Sequence, residues 1–184
     1  MRLRLRFLLT LLQAFMRSRL GVLNPSSIWL RVLPNDVDLL HVTNDRYLAY
    51  MDLGRNDLSV RIGLFAAVRK LRAYPVVRTL SIRFRHPARL FQKLELRTRI
   101  LCWSEESAWF EQEFFLRGRS IGLAYCKAEM RTAKGVVSPR TLLDFGNNGA
   151  VQSPDRPPLI RLLEEQEQTM KAAQQEPKAV SAVA

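Results

Sequence analysis

One long helical run followed by four runs of alternating residues leaves this chain few ways to build a core. From Asn44 the positions Tyr47, Met51, Leu58 and Ile62 recur at helical spacing, with Gly54 in line with them. That pattern predicts an amphipathic helix of roughly five turns, ending near Gly63. Asn44 is a good N-cap, and Asp45 places an anion in the first turn, where the helix dipole favours it. Glycine in a helix interior costs about 1 kcal/mol relative to alanine. The physical use for Gly54 is close approach of the helix to a sheet. After Tyr74-Pro75 the period becomes two. Leu80, Ile82 and Phe84 point one way and Thr79, Ser81, Arg83 and Arg85 the other, until Pro87 ends the strand. Next, Leu94, Leu96, Thr98, Ile100 and Cys102 share a face, opposite Lys93, Glu95, Arg97 and Arg99. A third run, Ala108 to Leu116, turns Phe110 and Phe114 inward and Glu111 and Glu113 outward, and a fourth extends from Ile121 to Arg131. Arg117-Gly118-Arg119-Ser120 and Lys134-Gly135 read as turns. Connections this short predict an antiparallel meander with one wet and one dry face. Upstream, Ile28, Leu30 and Val32 alternate in a short strand from Ser27 to Leu33, followed by a loop from Pro34 to Thr43.

The order is therefore strand, long helix, four strands. The helix must bury its apolar stripe and the sheet its dry face. The economical α+β solution is the hotdog fold, an antiparallel sheet of about five strands wrapped around one long central helix. Periodicity alone also admits other α+β sheets. The expected organisation is a basic amphipathic segment at 1–26, the hotdog domain at 27–142, and a remainder at 143–184. Within that remainder, Asp144 to Pro158 reads as a linker, Leu159 to Lys171 as a short helix, and Ala172 to Ala184 as a disordered tail.

The first 35 residues contain no Asp or Glu, yet carry Arg2, Arg4, Arg6, Arg17, Arg19 and Arg31. Between the arginine clusters, Leu5, Leu8, Leu9, Leu12, Phe15 and Met16 recur at helical spacing. The run is too short to span a bilayer, which needs roughly 20 apolar residues. Met16-Arg17-Ser18-Arg19 follows where a signal peptide would have small residues for cleavage. Two uses remain: a helix lying on an anionic membrane, or one packing its apolar face on its own domain or a second subunit. The whole chain has 29 Lys and Arg against 17 Asp and Glu, a net charge of +12. Such a balance suits polyanionic partners such as nucleic acid, an anionic membrane or a phosphorylated cofactor. Nucleic acid is not expected, because no motif or interleaved exposed aromatics accompany the charge. With two histidines, His41 and His86, and two separated cysteines, no metal motif exists. Cys102 and Cys126 read as buried thiols in a reducing, cytoplasmic setting, with a disulfide between neighbouring strands as the alternative.

The stretch Asp36-Val-Asp38-Leu-Leu-His41-Val-Thr43-Asn44-Asp-Arg-Tyr47-Leu resembles the loop-to-helix signature of the 4-hydroxybenzoyl-CoA thioesterase superfamily. Met51-Asp52-Leu53-Gly54-Arg55, Phe91-Gln92, Glu95 to Ile100, Trp103 and Trp109-Phe110 are similar to the bacterial branch related to thioesterase superfamily member six. The resemblance covers roughly residues 28 to 142. It implies hydrolysis of acyl-CoA to free acid and CoA. A carboxylate at the helix entrance would act as base or nucleophile, and backbone N–H groups at the helix N-terminus would form the oxyanion hole. By position, Asp38 matches the catalytic acid, His41 the loop histidine, Asn44 the second asparagine and Tyr47 the helix tyrosine. Tyr47 and Thr43 would meet substrate, and Asp36 and Asp52 are alternative acids. Two departures stand out. The loop between Asp38 and His41 is one residue shorter than the family's, and Thr43 replaces the first asparagine. They favour the alternative of a non-catalytic module that binds acyl groups or scaffolds at a membrane. Each residue also has a plain structural role open to it: Asp38 as a turn residue, His41 bonded to backbone, Asn44 as a cap, Asp52 paired with Arg55 or Arg46, Tyr47 in the core. No cofactor is expected beyond the thioester's own carrier. At least a homodimer is expected, because a single sheet leaves its edges unpaired.

Overall fold

A computed structural model describes residues 2–146 and 151–175. Contacts divide the chain into two compact units, Met1–Pro154 and Asp155–Ala184. In the first, α1 (Arg2–Met16) leads to β1 (Ser26–Arg31). The expected loop at 34–43 is a short 3-10 turn followed by a small hairpin, β2 (Val37–Asp38) and β3 (His41–Val42). The central helix α2 (Asn44–Arg61) follows, then α3 (Leu64–Leu71), β4 (Tyr74–Phe84), β5 (Lys93–Trp103), β6 (Ala108–Leu116), β7 (Arg119–Thr132), β8 (Gly135–Val137) and α4 (Pro139–Phe145). The main sheet is antiparallel in the order β1-β5-β6-β7-β4, with β8 paired to β7. Its two outer strands are β1 and β4. The second unit contains α5 (Pro158–Gln175), which runs past the expected end at Lys171. The rest of the expected tail, and part of the linker, lie outside the described residues.

The core follows from the alternation. Leu94, Leu96 and Thr98 of β5 are at most 1% exposed, and Phe114 of β6 is fully buried against the same side of α2. Gly54 sits where helix and sheet come closest. A Cβ there would lie 2.5 Å from Thr98 Oγ1 and 2.9 Å from Leu96 Cδ2. The close approach expected of this glycine is thus a property of the fold.

Four local expectations need correction. Thr43, not Asn44, is the N-cap of α2, and Asn44 is its first helical residue. The helix is enclosed on more than the expected stripe, because Tyr50, Leu53, Asp57, Val60 and Arg61 are buried beside Met51 and Leu58. The extra enclosure comes from α1, which packs along α2. Gly63, in the left-handed region at φ +82°, breaks the helical run and starts α3, which the sequence had left unassigned. Finally, the register slips between Ile100 and Cys102. A bulge adds one residue to one strand and re-aims the side chains beyond it, so Trp103 rather than Cys102 shares a cavity with Ile100.

Candidate active site

The residues singled out by the loop signature gather at the N-terminal end of α2. The hairpin places Asp38 opposite His41 across the two-residue turn Leu39-Leu40. Leu39 holds φ at +56°, and its side chain is 93% exposed. Asp38 is exposed and His41 half-buried, and His41 also bridges to Arg89. The Thr43 hydroxyl bonds the Asp45 carboxylate rather than a backbone N–H. That bond is the main reason the Asp45 carboxyl is held below the usual range. In the first turn of α2 the Arg46 and Tyr47 N–H groups both donate to the Thr43 carbonyl, at 3.1 and 3.3 Å.

Two of the named residues are already committed. Asp36 is buried, and both its oxygens accept from Arg6 of α1, at 3.0 and 2.7 Å. Its Oδ2 also accepts from the Leu33 backbone N–H at 2.8 Å. Asp36 therefore anchors α1. The Tyr47 hydroxyl accepts from the Ala88 N–H at 2.9 Å, and its ring stands edge-on to Phe114. Burial pushes this phenol up, so it remains a neutral strut in the core.

A second constellation lies further along α2. A cavity of about 310 Å³ opens between α2, α3, α4 and the sheet, walled by Val60, Leu64, Val68, Ile100, Trp103 and Phe110 among others. Polar residues of α2 face it from one arc: Asp52, Arg55, Asn56 and Ser59. With a rise of 1.5 Å per residue, Asp52 stands about 12 Å along the helix from Asn44. None of Asp38, His41, Thr43, Asn44 or Tyr47 lines this cavity. Arg55 links Asp52 to the Gln112 side-chain oxygen through one hydrogen bond to each. Gln112, fully buried, donates to the Met51 carbonyl at 2.8 Å and to Thr98 Oγ1 at 3.1 Å. The guanidinium is thereby held at the cavity wall with the Asp52 carboxylate beside it, while Asp52 itself is largely exposed. The other carboxylate on the wall, Glu129, faces Arg78 at 3.3 Å. Sequence reasoning named Asp52 but missed Gln112. Its signal was a polar residue on the dry face of β6, between Phe110 and Phe114.

Comparison with known proteins agrees with this architecture. The model of the thioesterase-like superfamily matches residues 32–135. The protein THEM6 of Danio rerio is 38% identical over 126 residues, which are 68% of this chain and 61% of that protein. The chain thus spans less than two thirds of that relative's length. A probable thioesterase from Bartonella henselae superposes with a TM-score of 0.58 at 23% identity, covering 62% of this chain and 98% of that one. A thioesterase from Thermus thermophilus, solved with coenzyme A and zinc, gives a TM-score of 0.56 at 20% identity, covering 66% and 96%. The sheet curled around α2 and the matched segment agree: the chain belongs to the thioesterase-like superfamily and has its hotdog fold.

Proposed function

We propose that the chain hydrolyses acyl thioesters of coenzyme A, with the acyl group in the cavity beside α2 and Asp52 as general base. The observation that carries this is an apolar cavity of ligand size with a carboxylate and a guanidinium side by side on its helical wall. Asp52 takes a proton from water, the resulting hydroxide adds to the thioester carbonyl carbon, and Arg55 faces the oxyanion that forms. The intermediate collapses with cleavage of the C–S bond, and the Asp52 proton passes to the leaving thiolate. Free acid and thiol are the products. Coenzyme A as carrier is supported by the Thermus thioesterase solved with it and by a net charge of +12, which suits its phosphates.

The loop signature favours a second reading, in which Asp38 is the base or nucleophile and the N–H groups of α2 stabilise the oxyanion. Its supporting observation is the placement of Asp38 opposite His41 at the start of that helix. A homodimer joined along β4 fits either reading. β4 is an outer strand of eleven residues with none fully buried, and its Pro75 and Val77 form part of the cavity wall. Pairing there would place the cavity at the seam.

Thiol release from a chain-length series of acyl-CoAs, by wild type, Asp52→Asn and Asp38→Asn, tests the assignment. Removing a general base lowers turnover by about 10²- to 10⁴-fold, and the loss is expected in Asp52→Asn. A loss confined to Asp38→Asn would move the chemistry to the helix entrance. Binding of every acyl-CoA without turnover by wild type would make the chain a non-catalytic acyl-binding module.

A further inference from the structure

α1 is docked with its apolar side outward. It is seated mainly through one stripe, Arg6, Thr10 and Ala14, continued by Arg17 just past its end; Thr10 and Ala14 are buried, while Phe7 and Phe15 touch the domain from the flanks. Arg6 pairs with buried Asp36 at 2.7 Å, and Arg17 with buried Asp57 at 3.5 Å while also donating to the Ser27 carbonyl at 2.9 Å. The arc turned away carries Leu5, Leu8, Leu9, Leu12, Phe15 and Met16, each between 48 and 79% exposed. A helix serving only its own domain turns such an arc inward, and an apolar patch of this extent marks an interaction surface.

The patch continues onto α3, where Phe65 meets Phe15 edge-on at a centroid distance of 5.0 Å. Arg4 borders the arc, Arg19 lies just beyond the end of α1, and Arg69 follows Phe65 by one turn of α3; all three are exposed. No acid occurs before Asp36. This charge pattern selects the occupant. A second copy laying its own α1 antiparallel on this face would bring Arg4 against the partner's cationic end. An anionic bilayer supplies apolar depth and the opposite charge together. Among the described residues no helix is long and apolar enough to cross a membrane.

We infer that the outward arc of α1, with Phe65 and Arg69 of α3, lies in the surface of an anionic lipid bilayer. The same two helices frame the cavity, because Phe7 and Phe65 both belong to its wall. Resting on the cavity as the acyl site, this defines a substrate class: long-chain acyl thioesters held in the bilayer.

The test is flotation of the full chain with vesicles of phosphatidylcholine alone or mixed with phosphatidylglycerol, alongside Leu8→Glu/Leu12→Glu. Both side chains are exposed, so the variant keeps the wild-type thermal unfolding midpoint. Wild type is expected to float with the mixed vesicles, and the variant to bind at least roughly tenfold less. Equal flotation of the two proteins, or wild type left at the bottom, overturns the inference. So does a wild-type mass in lipid-free light scattering that halves in the variant without any vesicle binding, which would assign the face to a second copy. Hydrolysis separates this inference from the enzymatic reading. Turnover of short, soluble acyl-CoA should match wild type in the variant, and turnover of long-chain acyl-CoA presented in vesicles should fall. A wild type that floats yet hydrolyses nothing retains the membrane surface and loses the thioesterase.

Discussion

Replacing Gly54 with alanine would test how tightly α2 is seated on the sheet. In an exposed helix the change is favourable by about 1 kcal/mol. Here the new methyl would meet Thr98 Oγ1 at 2.5 Å, Leu96 Cδ2 at 2.9 Å and Gln112 Nε2 at 3.2 Å. All three residues are at most 1% exposed, so none can swing into solvent. Overpacking of this kind costs about 1–3 kcal/mol. Lifting the helix also stretches the Gln112 bond to the Met51 carbonyl, worth about 1 kcal/mol. Adding that bond to the upper part of the range, about 2–3 kcal/mol, and subtracting the helix gain of about 1 kcal/mol leaves a net loss of about 2–3 kcal/mol. At this chain length that corresponds to a midpoint lower by roughly 5–10 °C. Thermal and urea unfolding of Gly54→Ala, Thr98→Ala and the double variant measure it. Thr98→Ala removes the atom at 2.5 Å, so the double variant should lose less than the sum of the singles. A Gly54→Ala protein as stable as wild type would refute the close approach of helix and sheet.

The buried polar groups give two further outcomes. Arg6→Ala leaves the enclosed Asp36 carboxylate without its cation, held by the Leu33 N–H and the Tyr50 hydroxyl, and urea unfolding should show a loss of about 3 kcal/mol. Arg6→Lys should recover only part of it, because an ammonium cannot make the two-oxygen contact. Cys126 is buried, and burial pushes its thiol up, so it stays protonated at neutral pH. A thiol reagent should label Cys102 and Cys126 rapidly in urea and hardly at all in the native protein; fast native labelling would contradict their burial.

The sheet and central helix were legible because local periodicity reports them directly, and Gly54 declared itself by standing on the apolar stripe of a helix. The features that stayed hidden depended on contacts distant in sequence or on turns without marker residues. The turn at Leu39-Leu40 contains no glycine or asparagine, so nothing announced a hairpin inside the loop. The bulge after Ile100 is likewise unmarked, and it exchanged Cys102 for Trp103 in the cavity. The apolar arc of α1 was visible, but its direction was not. That direction is set by Arg6 reaching Asp36 thirty positions away and Arg17 reaching Asp57 forty away. The signature residues Asp38, His41 and Asn44 were found at the helix entrance as motif and spacing suggest. The cavity further along α2 was not foreseen, since its walls come from helices and strands that only the fold brings together.

The most direct test of the central claim is thiol release across acyl-CoA chain lengths by wild type and Ala128→Phe, which narrows the cavity from β7. If the acyl group lies there, the variant should hydrolyse short-chain substrates at the wild-type rate and lose activity as the chain lengthens. An unchanged chain-length profile would place the acyl group elsewhere and contradict the account.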